Sequence, residues 1–369
     1  MLVIGGIIIF YSLLLLILLV AWNSIKINHQ NVDQPLIGFS VIVPFRNEEN
    51  RLEGLLNSIK NLNYDNDSYE IIFINDHSTD SSVSIIENFA KSHSKKINIY
   101  HLDADRGKKA AIKLGISQSS FDHIITTDAD CSFSAGWLQS YSNQYAGTAN
   151  VLVFGPVTFY NESTLFEKLQ TIEFASLIGT GAASLQLKKP NMCNGANFSF
   201  KKEAFYQVGG YEGNEELASG DDEFLMHKIY GFYKGKVSFN KDNDAIVKTL
   251  PLRSWRAFYY QRKRWASKWK KYTRFSTIVT ALFVALANLA VVMAAVLVMI
   301  NFSVYSWLVV PLFLKVFIEA LFIGRVMRFL KKPFNLFHFM VLELSYPVYA
   351  LFFGIAANFG TYIWKDRRH

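Results

Sequence analysis

The stretch FSVIVPF, residues 39–45, begins the pattern that decides the fold. It is rich in β-branched and aromatic residues, which favour a strand. Similar runs recur up to residue 157, with helical stretches between them. This alternation is typical of βαβ units and predicts an α/β fold around a largely parallel sheet. The further predicted strands are YEIIFIN (69–75), INIYHL (97–102), HIITTD (123–128) and NVLVFGPV (150–157).

Helices are predicted between these strands, each of them after a polar strand end. Thr79 or Asp80 precedes the second helix, and either side chain could be its N-cap because its oxygen can accept a backbone N–H. The predicted helices are NEENRLEGLLNSIK (47–60), TDSSVSIIENFAKSH (79–93) and GKKAAIKLGIS (107–117).

Polar loops follow the first four predicted strands. Most single Asp, Asn or Ser residues in loops are turn formers or caps, and that interpretation stays open for any one of these loops. In an open α/β sheet, however, the carboxyl ends of the strands share an edge where helix N-termini and loop amides converge. Polar loops after successive strands therefore predict a nucleotide-sized site. They are PFRNEE (44–49), NDHSTD (75–80), DADRGKK (103–109) and DADCS (128–132).

Two acidic pairs are candidates for chemistry. In TTDAD (126–130), Asp128 and Asp130 stand two residues apart, and on an extended chain such side chains point the same way. Carboxylates of this kind suit Mg²⁺ or Mn²⁺, although an isolated D-x-D is more often a turn or cap. In SGDDEFL (219–225), Asp221 and Asp222 open a predicted helix, where Asp is commonly a cap. The functional alternative makes one of them a general base.

Taken together, these segments resemble the membrane-bound glycosyltransferases of family 2. The resemblance covers about residues 39–270. It implies a GT-A fold, which is a Rossmann-like, mixed, mostly parallel sheet with flanking helices. It also implies an enzyme that uses a nucleotide sugar. The motifs that carry it are VIVPFRNEE, NDHSTD, RGKKAAIKLGI, TTDAD, NGANFSF, SGDDEFL and QRKRW.

The resemblance implies donor-binding roles for Pro44, Arg46, Glu48, Asp76 and Lys108. An aromatic residue is frequent in the family where Arg46 stands, so stacking on the base would use the guanidinium plane instead. Asp76 matches the carboxylate that recognises base or ribose, and Lys108 belongs to the glycine-lysine motif. Uracil is the base that the family favours.

The resemblance also assigns the two acidic pairs. Asp128 and Asp130 match the metal motif, with Asp130 expected to contact Mg²⁺ or Mn²⁺ through the diphosphate. Asp222 matches the general base, and Asp221 stands where Glu is frequent in the family.

Two later motifs complete the implied site. NGANFSF resembles a segment of the sugar and acceptor pocket, which implicates Gly195, Ala196 and Asn197. The Q-x-x-R-W signature is present as Gln261, Arg264 and Trp265. The resemblance implies that Gln261 and Arg264 bind the donor diphosphate, with help from Arg262 or Lys263. It implies that Trp265 lies at the acceptor.

Both ends of the chain are strongly apolar, and apolar residues make up 51% of it. Residues 2–22 carry no charge and are long enough to cross roughly 30 Å of hydrocarbon as a helix. The absence of a basic start and of a cleavage site predicts a retained anchor. Further apolar stretches lie at 277–301, 304–323 and 335–361, the last interrupted by Glu343 and Pro347.

These features predict four regions along the chain. They are a transmembrane anchor (1–24), a cytoplasmic GT-A domain (36–250), an amphipathic basic interface helix (251–275) and a C-terminal transmembrane region (276–362). Positive-inside counting places the middle of the chain in the cytoplasm. The same rule conflicts with an external tail WKDRRH, so the last stretch is either re-entrant or an exception. The expected location is a bacterial inner membrane, with a multi-pass topology.

The formal charge of +8 is covered by residues 251–276, which contain nine Lys or Arg residues and no Asp or Glu. Residues 259–272, YYQRKRWASKWKKY, interleave cations with aromatics and stand directly before an apolar stretch. In that position a basic, Trp-rich segment favours membrane lipids over nucleic acid, so no nucleic-acid partner is expected. The two cysteines are too few for a disulfide framework and fit a reducing compartment.

The function implied is inverting transfer of a sugar from a nucleotide-diphosphate sugar to a lipid-linked or glycan acceptor at the membrane, in cell envelope glycan synthesis. The small number of predicted transmembrane segments is sparse for a channel that exports a polymer, which favours a lipid acceptor or a short product. A processive polysaccharide synthase of the same fold is the alternative. A rival of another class is a non-catalytic, membrane-tethered binder of polyanions, which leaves the acidic motifs without a role.

Overall fold

A computed structural model describes residues 1–27, 36–215, 220–267, 275–356, 363–364 and 367–368. The chain divides into two compact units. The α/β unit comprises Ile25–Asn161 and Leu185–Leu250, and the helical unit comprises Met1–Ser24, Glu162–Ser184 and Pro251–His369.

The main sheet of the α/β unit has seven strands in the order β3-β2-β1-β4-β7-β5-β8. Strands β1 to β4 pair in parallel, whereas β7 runs antiparallel to both of its neighbours. Their bounds are β1 Phe39–Phe45, β2 Tyr69–Asn75, β3 Ile97–His101, β4 His123–Thr126, β5 Leu152–Phe154, β7 Phe198–Lys201 and β8 Val237–Phe239. Strands β6 (Val157–Phe159) and β9 (Val247–Thr249) form a separate parallel pair. The predicted α/β fold with a mixed, mostly parallel sheet is confirmed.

Helices flank this sheet, and those predicted from the sequence are present. Their bounds are α2 Leu52–Lys60, α3 Ser82–Lys91, α4 Lys108–Gln118, α5 Trp137–Tyr145, α7 Lys202–Gln207 and α8 Glu223–Phe232. The predicted cap of α3 is shifted, since Ser81 occupies the N-cap position without a side-chain hydrogen bond. Asp80, one residue earlier, accepts a hydrogen bond from the Ser82 amide at 3.1 Å. The pKa of this carboxyl is lowered: its hydrogen bonds outweigh burial, which alone would raise it.

The helical unit contains the apolar ends of the chain. Its helices are α1 Leu2–Ser24, α6 Leu165–Gln186, α9 Trp255–Ala266, α10 Phe275–Ile300, α11 Phe302–Tyr305, α12 Val309–Phe329 and α13 Leu336–Ala356, and a short pair of strands, β10 (Ile363–Trp364) and β11 (Arg367–Arg368), follows. Within the part of the chain that the structure describes, four segments are long and apolar enough to cross a membrane: Leu2–Ser24, Ile278–Ile300, Phe302–Phe329 and Leu336–Ala356. Pro347 lies inside α13, so the expected interruption does not end this helix.

The boundary of the middle region differs from the predicted 36–250. Residues 162–184 group with the helical unit because this segment packs there. Glu162 pairs with Lys332 at 2.7 Å, and a Cβ added at Gly179 would lie only 2.5 Å from Val326. Residues 268–274 of the predicted interface helix, and half of the tail WKDRRH (residues 365, 366 and 369), lie outside the described residues.

A buried ion pair fixes the helix that carries the Q-x-x-R-W motif. Arg262, 4% exposed, donates to Glu173 of α6 at 2.7 Å, and Tyr349 of α13 donates to the same carboxylate at 2.9 Å. The Arg262 guanidinium also lies 4.7 Å from the ring centre of Phe258 and 4.4 Å from that of Trp265. Arg262 is thus paired within the helical unit, and the expectation that it helps to hold a diphosphate stays a prediction.

Candidate active site

The loops after β1 and β2 interlock at the carboxyl edge of the sheet. The Thr79 amide donates to Asn47 Oδ1 at 2.8 Å, and the Asn47 amide donates to Ser78 Oγ at 3.2 Å. Arg46 Nη1 donates to the Asp76 carbonyl at 3.1 Å, so this guanidinium also binds the neighbouring loop. The strand order reverses between β1 and β4, and ligands bind at such a point in open α/β sheets.

The loop after β3 is joined to the same edge. The Gly107 amide donates to Asp76 Oδ2 at 3.0 Å, and His77 Nε2 donates to the Asp105 carbonyl at 3.1 Å. Gly107 is the N-cap of α4 and has φ of 95°, a conformation that side chains rarely adopt. Asp76 thereby fixes the turn from which Lys108 projects.

Lys108 lies between carboxylates of two different motifs. Its Nζ atom is 2.7 Å from Asp128 Oδ1 and 3.2 Å from Asp221 Oδ2. The Lys108 side chain is only 19% exposed. Burial alone would lower the pKa of this ammonium, but the charges of Asp128, Asp221 and Asp222 outweigh burial and hold that pKa well above its usual value. Lys108 is therefore a cation whose charge is favoured by the acidic cluster around it.

Asp222 is held by backbone amides at the start of α8. Its Oδ2 accepts from the Gly195 amide and its Oδ1 from the Glu223 amide, both at 2.7 Å. A carboxylate that accepts two backbone N–H bonds at a helix N-terminus is fixed in orientation and stabilised in its charged form. The structure thus brings together five residues singled out from the sequence: Lys108, Asp128, Gly195, Asp221 and Asp222.

The expected alignment of Asp128 and Asp130 on an extended chain is wrong. Strand β4 ends at Thr126, and the Cys131 amide donates to the Asp128 carbonyl at 3.1 Å, which closes a turn. Asp128 faces Lys108, whereas Asp130 accepts a weak hydrogen bond from the buried Cys131 thiol at 3.8 Å. The spacing rule for strands does not apply after the strand has ended.

The acidic cluster is suited to a cation. Within the described ranges, no group of three or more His, Cys, Asp or Glu side chains could hold a metal ion by itself. Mg²⁺ is commonly bound by one or two carboxylates together with substrate phosphates, so two carboxylates are enough when a nucleotide is present. The Lys108 ammonium forms an ion pair with Asp128, so this carboxylate is in a position to bind positive charge.

Asn197 has a structural role that the sequence did not indicate. Its side chain is fully buried and donates to the carbonyls of Pro156 at 2.8 Å and Ala245 at 2.7 Å. Its oxygen accepts from Trp137 Nε1 at 3.1 Å and from the Tyr141 hydroxyl at 2.8 Å. The expected contact between this amide and an acceptor is therefore corrected, because every hydrogen bond that the side chain can make is used inside the protein.

We expect Asn197→Ala to destabilise the α/β unit by about 3 kcal/mol or more, because it leaves several buried polar groups without partners. Thermal unfolding of the purified protein in detergent would measure this as a lowered Tm. Asn57→Ala, at an exposed position on α2, is the control and should change the Tm little. An unchanged Tm with altered acceptor use would instead restore the acceptor role of Asn197.

Other residues expected at the site lie at this edge or on α9. Pro44 is half-buried on β1, and Glu48 is 5% exposed with its amide donating to Ser82 Oγ at 2.8 Å. Ala196 is 3% exposed. Gln261, Arg264 and Trp265 lie on α9 of the helical unit, where one face of Trp265 is occupied by Arg262. Their contacts with donor and acceptor remain predictions.

Thr126 was missed by reasoning from sequence. Its hydroxyl, 2% exposed, donates to the Gly195 carbonyl at 2.8 Å and so holds the residue whose amide binds Asp222. No local signal marks this threonine, because its partner is brought alongside β4 by the antiparallel strand β7.

The family-model comparison identifies residues 40–209 as glycosyl transferase family 2. A poly-beta-1,6-N-acetyl-D-glucosamine synthase of Staphylococcus epidermidis is 32% identical over 190 residues, which are 51% of this chain and 44% of the relative. The enzyme of that name from Staphylococcus aureus is 31% identical over 184 residues, 49% of this chain and 43% of the relative. The matched segment thus spans less than half the length of these relatives.

A solved structure extends the likeness of the fold. The mannosyltransferase from Pyrobaculum calidifontis, in complex with GDP-Man and Mn²⁺, matches with a TM-score of 0.55 and 15% identity, over 96% of this chain and 97% of that one. At this identity the match supports the GT-A fold alone. The family match, the relatives and this fold agree with one another, and they identify residues 40–209 as a domain of glycosyl transferase family 2.

Proposed function

We propose that this protein is an inverting glycosyltransferase that moves a sugar from a nucleotide-diphosphate sugar, with UDP as its nucleotide, to an acceptor at the membrane. The observation that carries the proposal is the cluster in which Lys108 joins Asp128 to Asp221, beside the amide-held Asp222. Lys108 and Asp128 lie within the matching residues 40–209, at the sheet edge where open α/β sheets bind ligands, and Asp221 and Asp222 come after that segment.

In this mechanism Asp222 is the general base. The acceptor oxygen attacks the anomeric carbon while the bond to the donor phosphate breaks, and the hydroxyl proton passes to Asp222. Hydrogen bonds from the Gly195 and Glu223 amides hold this carboxylate in one orientation. Inversion follows from attack on the face opposite the leaving group, and no sugar becomes attached to the enzyme.

Negative charge develops on the leaving diphosphate. A bound Mg²⁺ or Mn²⁺, which Asp130 and Asp128 would hold, supplies positive charge to those phosphates. Lys108 is a further cation within the cluster, and we assign diphosphate binding to Arg264 and Gln261 as well. Pro44, Arg46, Glu48 and Asp76 would receive the nucleoside, in a site that the interlocked loops hold in place.

The relatives favour repeated transfer. Both are synthases of poly-beta-1,6-N-acetyl-D-glucosamine, which supports N-acetylglucosamine as the sugar and a growing glycan as the acceptor. The second candidate is transfer of one sugar to a lipid-linked acceptor. It is favoured by the small number of candidate spans in the described residues, which is sparse for a channel that exports a polymer.

Membranes containing the protein should release UDP from UDP-N-acetylglucosamine in the presence of Mn²⁺ or Mg²⁺. A panel of nucleotide sugars tests the donor, and sizing of the labelled product separates a polymer from a single addition. A protein without the active-site carboxylates, Asp130→Asn with Asp222→Asn, is the control. If no nucleotide sugar is cleaved and the membranes only bind polyanions in a salt-dependent way, the non-catalytic alternative is correct.

A further inference from the structure

We propose that Lys108 is an internal counter-ion which occupies the cation position of the active site and keeps divalent metal from binding tightly until the nucleotide arrives. The inference deepens the proposed function and rests on it. It assigns to this lysine the order in which metal and donor bind, in addition to any contact with the donor itself.

The Lys108 ammonium lies within ion-pair distance of both acidic motifs. Lys108 Nζ is 2.7 Å from Asp128 of the metal motif and 3.2 Å from Asp221 of the second acidic pair. These are the distances of direct ion pairs, and they join two motifs that lie far apart in the sequence. A metal ion at Asp128 would therefore approach an oxygen that already has a cationic partner.

Three carboxylates surround Lys108. Asp128, Asp221 and Asp222 would repel one another at such an edge if no cation lay among them. The ammonium of Lys108 is part of the protein and neutralises part of this charge, so the acidic cluster is stable with no ligand bound. A divalent ion that binds alone must displace this ammonium and repel it as well, which weakens its binding.

A nucleotide diphosphate changes this balance because it brings its own negative charge. A lysine ammonium is a compact charge on a flexible stem and can turn from a carboxylate to a phosphate. Once Lys108 binds phosphate, Asp128 becomes available to the metal. Metal and nucleotide should therefore strengthen each other's binding, by the same factor in each direction.

Neighbouring lysines allow this role to be tested specifically. Lys109 is buried and donates to the Asn214 carbonyl, so its removal would disturb the fold. Lys113 lies on the same helix with its side chain exposed, and it has no ion pair among the described residues. Lys113→Met is therefore the matched control for Lys108→Met, and Lys108→Arg keeps the charge in place.

The experiment measures Mn²⁺ binding to the full-length protein in detergent by electron paramagnetic resonance of the free ion, with and without UDP. Without UDP, Lys108→Met should bind Mn²⁺ about tenfold more tightly than the wild type, within the usual range of coupling between ligands. Lys108→Arg and Lys113→Met should keep the weak wild-type affinity. The gain in Mn²⁺ affinity that UDP produces should be smaller in Lys108→Met than in the wild type.

Equal or weaker Mn²⁺ binding by Lys108→Met, in a protein with a wild-type Tm, overturns the proposal, and so does the absence of Mn²⁺ binding in every variant. The release of UDP from a nucleotide sugar by the wild type is measured separately. Release of UDP without tighter binding by Lys108→Met leaves the transferase and removes the counter-ion. Tighter binding without any release of UDP supports the counter-ion and removes the reaction.

Discussion

Asp222→Asn is expected to lower the rate of sugar transfer by a factor of about 10²–10⁴, the usual contribution of a general base. The amide of Asn cannot take the proton of the acceptor hydroxyl. Donor binding should change little, because the side chain keeps its shape and Lys108 keeps its ion pairs with Asp128 and Asp221.

The fold should tolerate this substitution. Asn is among the best N-cap residues, so it can still accept from the Glu223 amide at the start of α8. Its NH2 group cannot accept from the Gly195 amide, and the loss of that one hydrogen bond should cost about 1–3 kcal/mol of stability. Single-turnover rates and UDP affinity, measured on the same preparation, separate the chemical step from binding. Glu203→Gln, an exposed carboxylate on α7, is the matched control and should transfer sugar at the wild-type rate. Normal transfer by Asp222→Asn would remove this residue from the mechanism.

The sheet could be predicted from the sequence only where parallel strands alternate with helices along the chain. Strands β1 to β4 alternate with helices, and their central residues, such as Val41 and Ile42, are fully buried. The later strands have no such pattern. Strand β7 enters between β4 and β5 in the opposite direction, after a long helix that belongs to the other unit. A pairing between distant segments leaves no periodic trace in either of them.

The site shows the same difference between local and distant information. Motif types identified Lys108 and Asp221 separately, but the ion pair between them depends on how α4 and the start of α8 meet. Local rules also misled where the backbone changed conformation. The i, i+2 spacing of Asp128 and Asp130 predicts that they point the same way on a strand, although the strand ends before them. The motif around Asn197 resembles a pocket segment, but its side chain is buried. That burial could not be predicted, because it depends on Pro156 and Ala245, which are distant in the sequence.

Gly195→Ala is the second substitution for which we expect a large loss of activity, about ten- to a hundredfold in kcat/KM, which corresponds to about 1.4–2.7 kcal/mol of lost transition-state stabilisation. A Cβ atom at Gly195 would lie 3.0 Å from Asp221 Oδ2 and 3.4 Å from both Lys108 Nζ and Asp222 Cβ. The first distance is too short for an ordinary contact. The added methyl group must therefore move the charged side chains or the backbone that carries the Gly195 amide.

Either movement would impair the site without unfolding the protein. Displacement of Asp221 weakens its ion pair with Lys108, and displacement of the backbone lengthens the hydrogen bond to Asp222. Gly54→Ala on α2 is the control, because its Cβ would meet neighbours at 3.5 Å or more. Measurement of kcat/KM for the donor, together with the Tm of both variants, tests this account. Wild-type kcat/KM in Gly195→Ala would mean that catalysis does not depend on the close approach of these side chains to residue 195.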